Sequence, residues 1–325
     1  MAETFYSQIA ANRRNSILLA LIVSVLFAAL GFSIGYAISG SSSGALAVMV
    51  FALVLAGVLS AGSYFGGDSL VLAASRAQEV DPKSAPQLFN VVQELTIAAN
   101  LPMPRIFVID DTAPNAFATG RDPKHASVAI TSGLLEKLDR EELQGVMGHE
   151  LSHVRNYDIR FALLVAVLVG SIALLADFFL RFSFWGGMAR SRRDDRSGGG
   201  GLQAVMYVVA LALAILAPIA SRLVQLAVNR QREYLADASS VQLTRNPYGI
   251  ERALAKISED QEVLEVANRA TQHMYFTNPI KKFEERSKGL FSTHPPTLER
   301  INRLRKLSGD APLQGAEAAE LTGLD

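Results

Sequence analysis

Four apolar runs, at residues 16–39, 45–65, 161–180 and 202–221, constrain this chain more than any other feature. About 20 apolar residues in a helix cross the ~30 Å hydrocarbon core of a bilayer. Runs this long can also be buried helices of a large soluble protein. The low charge decides between the two: half the residues are hydrophobic, only 19% are charged, and mean hydropathy is +0.22. A soluble domain carries more charge, so the chain reads as an integral membrane protein.

The first two runs are joined by Gly40-Ser41-Ser42-Ser43-Gly44, an uncharged tight turn, and form one membrane hairpin. A signal peptide has a shorter apolar core and a small-residue cleavage site, so this is an uncleaved anchor. Arg13 and Arg14 precede the hairpin, and Arg76 and Lys83 follow it. The positive-inside rule then places both ends in the cytoplasm.

The second pair of runs is less simple. The link 181–201 holds Arg181, Arg190, Arg192, Arg193 and Arg196 against Asp194 and Asp195 and closes on glycines, so it reads as a flexible loop. Two full crossings put this Arg-rich loop outside, against the charge rule; a shallow, non-spanning hairpin removes the conflict. Asp177, within the third run, reads as either an interfacial residue or a polar contact inside a bundle. Two crossings or none return the chain to the side it left, so residues beyond 222 share a compartment with residues 66–158.

Residues 66–158 have a soluble composition. Ser84-Ala85-Pro86 starts a helix carrying Leu88, Val91, Val92, Leu95 and Ala99, which Leu101-Pro102 ends. Arg105–Ile109, Asn115–Thr119 and Ala126–Ile130 read as strands, the last two joined by the turn cluster Gly120-Arg121-Asp122-Pro123. They make a small sheet for the next helix to pack on. Its edge at Asn115-Ala116-Phe117 is either an ordinary edge strand or a place for an extended peptide.

The next helix carries the chemistry. Asp139-Arg140-Glu141-Glu142 resembles a capping box, and Leu143, Val146, Met147, Leu151 and Val154 recur at helical spacing. On it lie His149-Glu150-Leu151-Ser152-His153. Two imidazoles four residues apart share a helix face and can hold one zinc ion, while Glu150 is placed to take a proton from the attacking water. Chance spacing on a solvated face is the alternative, but two of only five histidines fall in this frame with the Glu between them.

Zinc held by two histidines needs a third protein ligand and leaves one position open for catalysis. Arg232-Glu233-Tyr234-Leu235-Ala236-Asp237 follows the fourth run, and Glu233 and Asp237 share a helix face. They read either as a third ligand with a carboxylate behind a ligand imidazole, or as a solvated acidic pair among arginines. Asn246-Pro247-Tyr248-Gly249 is a turn, residues 250–267 are helical by pattern, and 271–293 are irregular. Ser292-Thr293-His294-Pro295-Pro296 opens a last helix. His294 is a cap or surface histidine, or a donor to a developing oxyanion. The last fifteen or so residues read as a frayed tail. Zero net charge gives no reason for a nucleic-acid partner, and the lack of cysteine excludes disulfides and thiolate metal sites.

Together these pieces resemble one family, the membrane zinc metalloproteases of the HtpX type, kin to the CAAX prenyl endopeptidases. The resemblance rests on Asn115-Ala116-Phe117-Ala118-Thr119-Gly120, on His149–His153 with Arg155-Asn156-Tyr157-Asp158, on Arg232–Asp237 and on Ser292–Pro296. It implies a mainly α membrane protein: four apolar helices and a zincin-like α+β catalytic domain with a small sheet. It implies one Zn2+ per chain held by His149, His153 and Glu233, Glu150 as general base, and His294 as a transition-state stabiliser. It also implies substrate binding at Asn115, Ala116 and Phe117, leaving Asp237 as the carboxylate behind a ligand. The expected segments are a hairpin at 1–65, catalytic parts at 66–158 and 223–308, a second hairpin at 159–222 and a tail at 309–325.

The implied role is degradation of damaged or misassembled membrane proteins in the bacterial cytoplasmic membrane, with the site facing the cytoplasm. His153 precedes one apolar run by eight residues and Glu233 follows another by about a dozen, so at ~1.5 Å per residue the metal sits roughly 10–20 Å from the bilayer edge. A silent membrane scaffold with a structural zinc site is the competing reading, but such a site has no need of Glu150. A peptidase restricted to prenylated carboxy-termini is a third; four apolar runs are few to enclose a large intramembrane chamber. Oligomeric state is left open.

Overall fold

The computed structural model describes residues 5–190, 200–260, 262, 276 and 294–314. The chain divides into two compact units, one of residues 13–63 and 163–225, the other of residues 1–12, 64–162 and 226–325. The two segments 66–158 and 223–308, far apart in sequence, fall largely in the second of these.

Four helices are long and apolar enough to cross a membrane: α1 (Phe5–Ser39), α2 (Ser42–Ala74), α6 (Asp158–Arg190) and α7 (Gly200–Thr244). In the first unit, large apolar side chains such as Val25, Phe51, Val54, Leu174 and Val208 are exposed, as lipid-facing residues are. Helices in lipid gain little from burying apolar surface against each other, so small residues set their approach. At Gly35 of α1 a Cβ would lie 2.8 Å from Ala45 Cα of α2. Only a glycine permits that contact.

Two helices run further than the apolar pattern suggests. Residues 181–190, expected in the loop, continue α6. Arg181 pairs with Asp177 one turn back at 2.7 Å, and both are exposed, so Asp177 finds its partner on its own helix. Helix breakers become dense only at the glycines near 200. Residues 191–199 lie outside the described residues. The fourth run and the Glu233 segment belong to one helix, α7, which passes through Pro218 without ending.

The second unit holds a four-stranded sheet in the order β1-β2-β4-β3: β1 (Gln78–Glu79), β2 (Arg105–Ile109), β3 (Ala116–Gly120) and β4 (Ala126–Thr131). β2 and β4 are parallel; β4 and β3 form an antiparallel hairpin with Phe117 opposite Ala129. Gly120 adopts φ +133° at its turn, where a Cβ would meet the His125 carbonyl. One sheet face (Ile106, Ala116, Ala118, Val128, Ile130) joins a core with α3 (Pro86–Ala99), α5 (Arg140–Arg155), α8 (Pro247–Glu259) and α9 (Thr297–Ser308). Phe107, Ile109, Phe117 and Ala129 pack with Leu72 on the other. A short helix, α4 (Ser132–Lys137), follows β4; nothing in the periodicity marks it.

α5 begins at a full capping box, Asp139 accepting from Glu142 N–H and Glu142 from Asp139 N–H. Asn246 caps α8, so Asn246–Gly249 is a helix start rather than a free turn. The expected helix over 250–267 ends at Glu259. Of 263–293 only Phe276 is described, and 315–325 of the tail lie outside the described residues.

Candidate metal centre and catalytic cleft

α5 is buried on nearly all sides, from Leu143 to Val154, and two close approaches fix what lies over it. A Cβ on Gly145 would sit 2.5 Å from Ile250 N of α8. Ser240 of α7 donates to the Gly145 carbonyl at 2.6 Å, and a Cβ on Gly148 would lie 2.9 Å from the same Ser240 oxygen. α7 therefore crosses α5 at its small residues, and Glu233, two turns before Ser240, comes down over His149 and His153.

His149 Nε2 and His153 Nε2 are 3.1 Å apart, and each lies 3.6 Å from a different oxygen of Glu233. Two ligand atoms about 2.0–2.1 Å from a tetrahedral zinc are about 3.3 Å apart, so the triangle has the size of three corners of such a site. Among the described residues these three form the metal-ligand-like group. Glu233 Oε2 is buried, with His294 Nδ1 at 3.2 Å and Arg300 Nη1 at 3.7 Å. A buried carboxylate oxygen so placed is suited to a cation.

The other ring nitrogens are taken. His149 Nδ1 lies 2.9 Å from Asp237 Oδ1, and His153 Nδ1 lies 3.1 Å from Asp158 Oδ2. A carboxylate accepts, so each Nδ1 carries the proton and each Nε2 turns its other face inward. Two Nε2 lone pairs at 3.1 Å repel unless a proton or a cation lies between them. Without a cation the proton is favoured: burial works against the charge on His149, but Asp237 and Glu233 outweigh it and raise the pKa to about 9. A proton and a divalent ion thus compete for one place.

Glu150 is buried beside the triangle, and burial, opposed by the neighbouring His149 and His153, raises its carboxyl above the ordinary value. That makes it a stronger base than a surface glutamate. His294 is buried, with Nδ1 3.2 Å from Glu233 Oε2. Together with Glu150, His149, His153 and Glu233, the cleft is lined by Ala118, Asp158, Ile159, Ala162, Asn229, Arg232 and Phe276.

The strand residues Asn115, Ala116 and Phe117 are all buried. Asn115 Oδ1 accepts from Ala116 N–H, and the Ala116 carbonyl accepts from Phe276 N–H at 2.7 Å. Of β3 it is Ala118 that lines the cleft. Strand residues two apart turn their backbone groups the same way, so Ala118 shares the outer edge with Ala116.

Residues that the sequence reading gave no role also converge here. Arg300, fully buried on α9, donates to Asp237 at 2.7 and 2.9 Å and to the Phe276 carbonyl at 3.0 Å. The Phe276 ring meets His149 edge-on at 4.8 Å. Asp158 and Arg232 close the other side. Arg300 follows His294 by six residues and Asp158 follows His153 by five. That nearness is a signal, but a charged residue near a motif most often faces solvent.

The model of peptidase family M48 matches residues 82–308 of the chain. A protein of Streptococcus uberis described as "Protease HtpX homolog" is 43% identical over 302 residues, covering 93% of this chain and 99% of that relative. One of Streptococcus pneumoniae with the same description is 45% identical over 304 residues, with the same coverage. Among solved structures, S. mikatae Ste24p is similar with a TM-score of 0.45 and 17% identity, covering 91% of this chain and 66% of that one.

Proposed function

The chain belongs to peptidase family M48 and is a membrane metalloprotease of the HtpX type; from that premise we propose that it is a zinc endopeptidase of the bacterial cytoplasmic membrane. Its substrates are cytoplasmic segments of misfolded or damaged membrane proteins. One Zn2+ is held by His149, His153 and Glu233. The observation that carries this reading is the triangle of 3.1, 3.6 and 3.6 Å between their ligand atoms, with both Nδ1 atoms tied to carboxylates.

When bound, zinc supplies a Lewis acid that polarises the scissile carbonyl and makes water a nucleophile near neutral pH. Glu150, buried beside the three ligands, takes the proton of the attacking water and passes it to the leaving amine. Asp237 keeps the His149 ring in the tautomer that leaves Nε2 free for the ion. His294, beside Glu233, donates to the oxyanion as it forms. An extended substrate pairs along the outer edge of β3, entering the cleft at Ala118 beyond the Ala116–Phe276 contact.

A closed structural site would have a fourth protein ligand; among the described residues the ligand-like group has three members, which favours an open catalytic position. Glu150→Ala separates the readings. In the detergent-purified full chain it should retain zinc and stop cleavage of a reconstituted membrane-protein substrate. Cleavage at the parent rate would remove Glu150 as the general base.

A further inference from the structure

Asp158 is the first residue of α6 and is buried. Its Oδ2 faces His153 Nδ1 at 3.1 Å, and its Oδ1 lies 3.4 Å from Arg232 Nε. Arg232 Nη1 also approaches the Asp158 carbonyl at 3.5 Å. The Arg232 guanidinium lies 3.7 Å from the ring centroid of Phe161, on the first turn of the same helix, and Arg232 immediately precedes Glu233. Three elements that each bear on the centre are thereby joined: α5 through His153, the start of α6 through Asp158 and Phe161, and α7 through Arg232.

The arrangement repeats the one across the site. There His149 Nδ1 is backed by Asp237, which Arg300 grips at 2.7 and 2.9 Å. A buried carboxylate is costly unless it is paired and hydrogen-bonded. Each Asp is therefore held by an arginine while it accepts from an imidazole. The bland account of Asp158 is helix capping, since an acidic residue in a first turn complements the helix dipole. Capping explains neither the contact to His153 nor the stacked arginine.

We propose that Asp158, held by Arg232, is a positioning residue that fixes the His153 ring with Nε2 turned to the metal, so that the first turn of an apolar helix is part of the metal site. The proposal rests on the zinc reading above. It is Asp158 that makes His153 a strong ligand rather than a ring free to rotate, and Arg232 that keeps Asp158 in place.

The test uses the full-length chain in detergent and two variants, Asp158→Asn and Arg232→Lys. Asparagine caps a helix as well as aspartate does, so a capping role predicts wild-type behaviour for Asp158→Asn. The positioning role predicts zinc affinity, read by competition with a chromophoric chelator, about 10–100-fold weaker. It also predicts protease activity that is lost at limiting zinc and restored by excess zinc. Lysine cannot stack and fork as arginine does, so Arg232→Lys should weaken zinc binding in the same direction. A measurement on the metal-free wild type is independent of how the variants fold: 15N shifts of labelled histidine should show His153 protonated at Nδ1. Wild-type zinc affinity in Asp158→Asn, or an Nε2-protonated His153, would overturn the proposal while leaving the zinc site intact. A wild-type chain that binds no zinc would overturn both.

Discussion

Asp237 Oδ1 lies 2.9 Å from His149 Nδ1 and 2.7 Å from Arg300 Nη2, so one buried carboxylate serves a buried imidazole and a buried guanidinium at once. The rotation of the His149 ring, and with it the direction of Nε2, is set 88 residues away in sequence, on α7. A partner of this kind raises ligand basicity and is worth about 10–100-fold in metal affinity. Asp237→Asn should weaken zinc binding by that order, measured by chelator competition, while far-ultraviolet circular dichroism stays unchanged.

Arg300 is expected to matter for folding more than for chemistry. Removing one member of a buried ion pair leaves the other charge uncompensated, at a cost of about 3–5 kcal/mol. Arg300→Met strands Asp237 and removes the donor to the Phe276 carbonyl. Thermal unfolding of the metal-free variant should begin well below that of the parent. Equal unfolding temperatures would mean that the Asp237–Arg300 pair contributes nothing net.

A second effect depends on pH. The pKa of His149 in the metal-free fold is raised from its ordinary 6.5 to about 9. The folded state therefore binds the proton more tightly than the unfolded chain. The stability this contributes is fully present below about pH 6.5 and is lost as pH rises through about 9. Zinc must displace that proton, so apparent affinity should climb roughly tenfold per pH unit between neutrality and pH 9. Calorimetry in buffers of different ionisation enthalpy would count the proton released. A flat affinity profile would contradict the raised value.

At Gly145 the backbone of α8 leaves no space for a methyl group, with Ile250 N 2.5 Å from where a Cβ would be. Overpacking a tight core costs about 1–3 kcal/mol. The strain at this position falls on the helix that carries both histidines. Gly145→Ala should lower the unfolding temperature and reduce zinc occupancy together; Gly57→Ala, with open space around it, should change neither.

Much of this architecture is legible in the residues, and what is not has physical causes. The apolar runs, the His149–His153 frame and the three longer strands announce themselves because each is a local pattern, of continuous apolarity, of fixed spacing or of strand composition. Helix lengths do not. α6 carries on to Arg190 and α7 is one helix from the fourth run to Thr244, because polar residues can prolong a helix as readily as end it. The contacts of Asp158, Arg232 and Arg300 are not legible either. In sequence they look like ordinary surface charge, and only the packing of α5, α6, α7 and α9 shows Asp158 buried against Arg232 and Arg300 buried against Asp237. The Asn115–Phe117 segment is a middle case: its strand is readable from composition, but the Phe276 amide on the Ala116 carbonyl joins residues 160 apart, and no local signal predicts it.

The central claim is that Glu233 completes the metal site from a distant helix. Zinc content per chain, measured by mass spectrometry after exhaustive dialysis, tests it in the parent and in Glu233→Ala. One zinc per parent chain and a large loss in the variant is the expected result. Stoichiometric zinc retained in Glu233→Ala would remove this carboxylate from the ligand set and contradict the account.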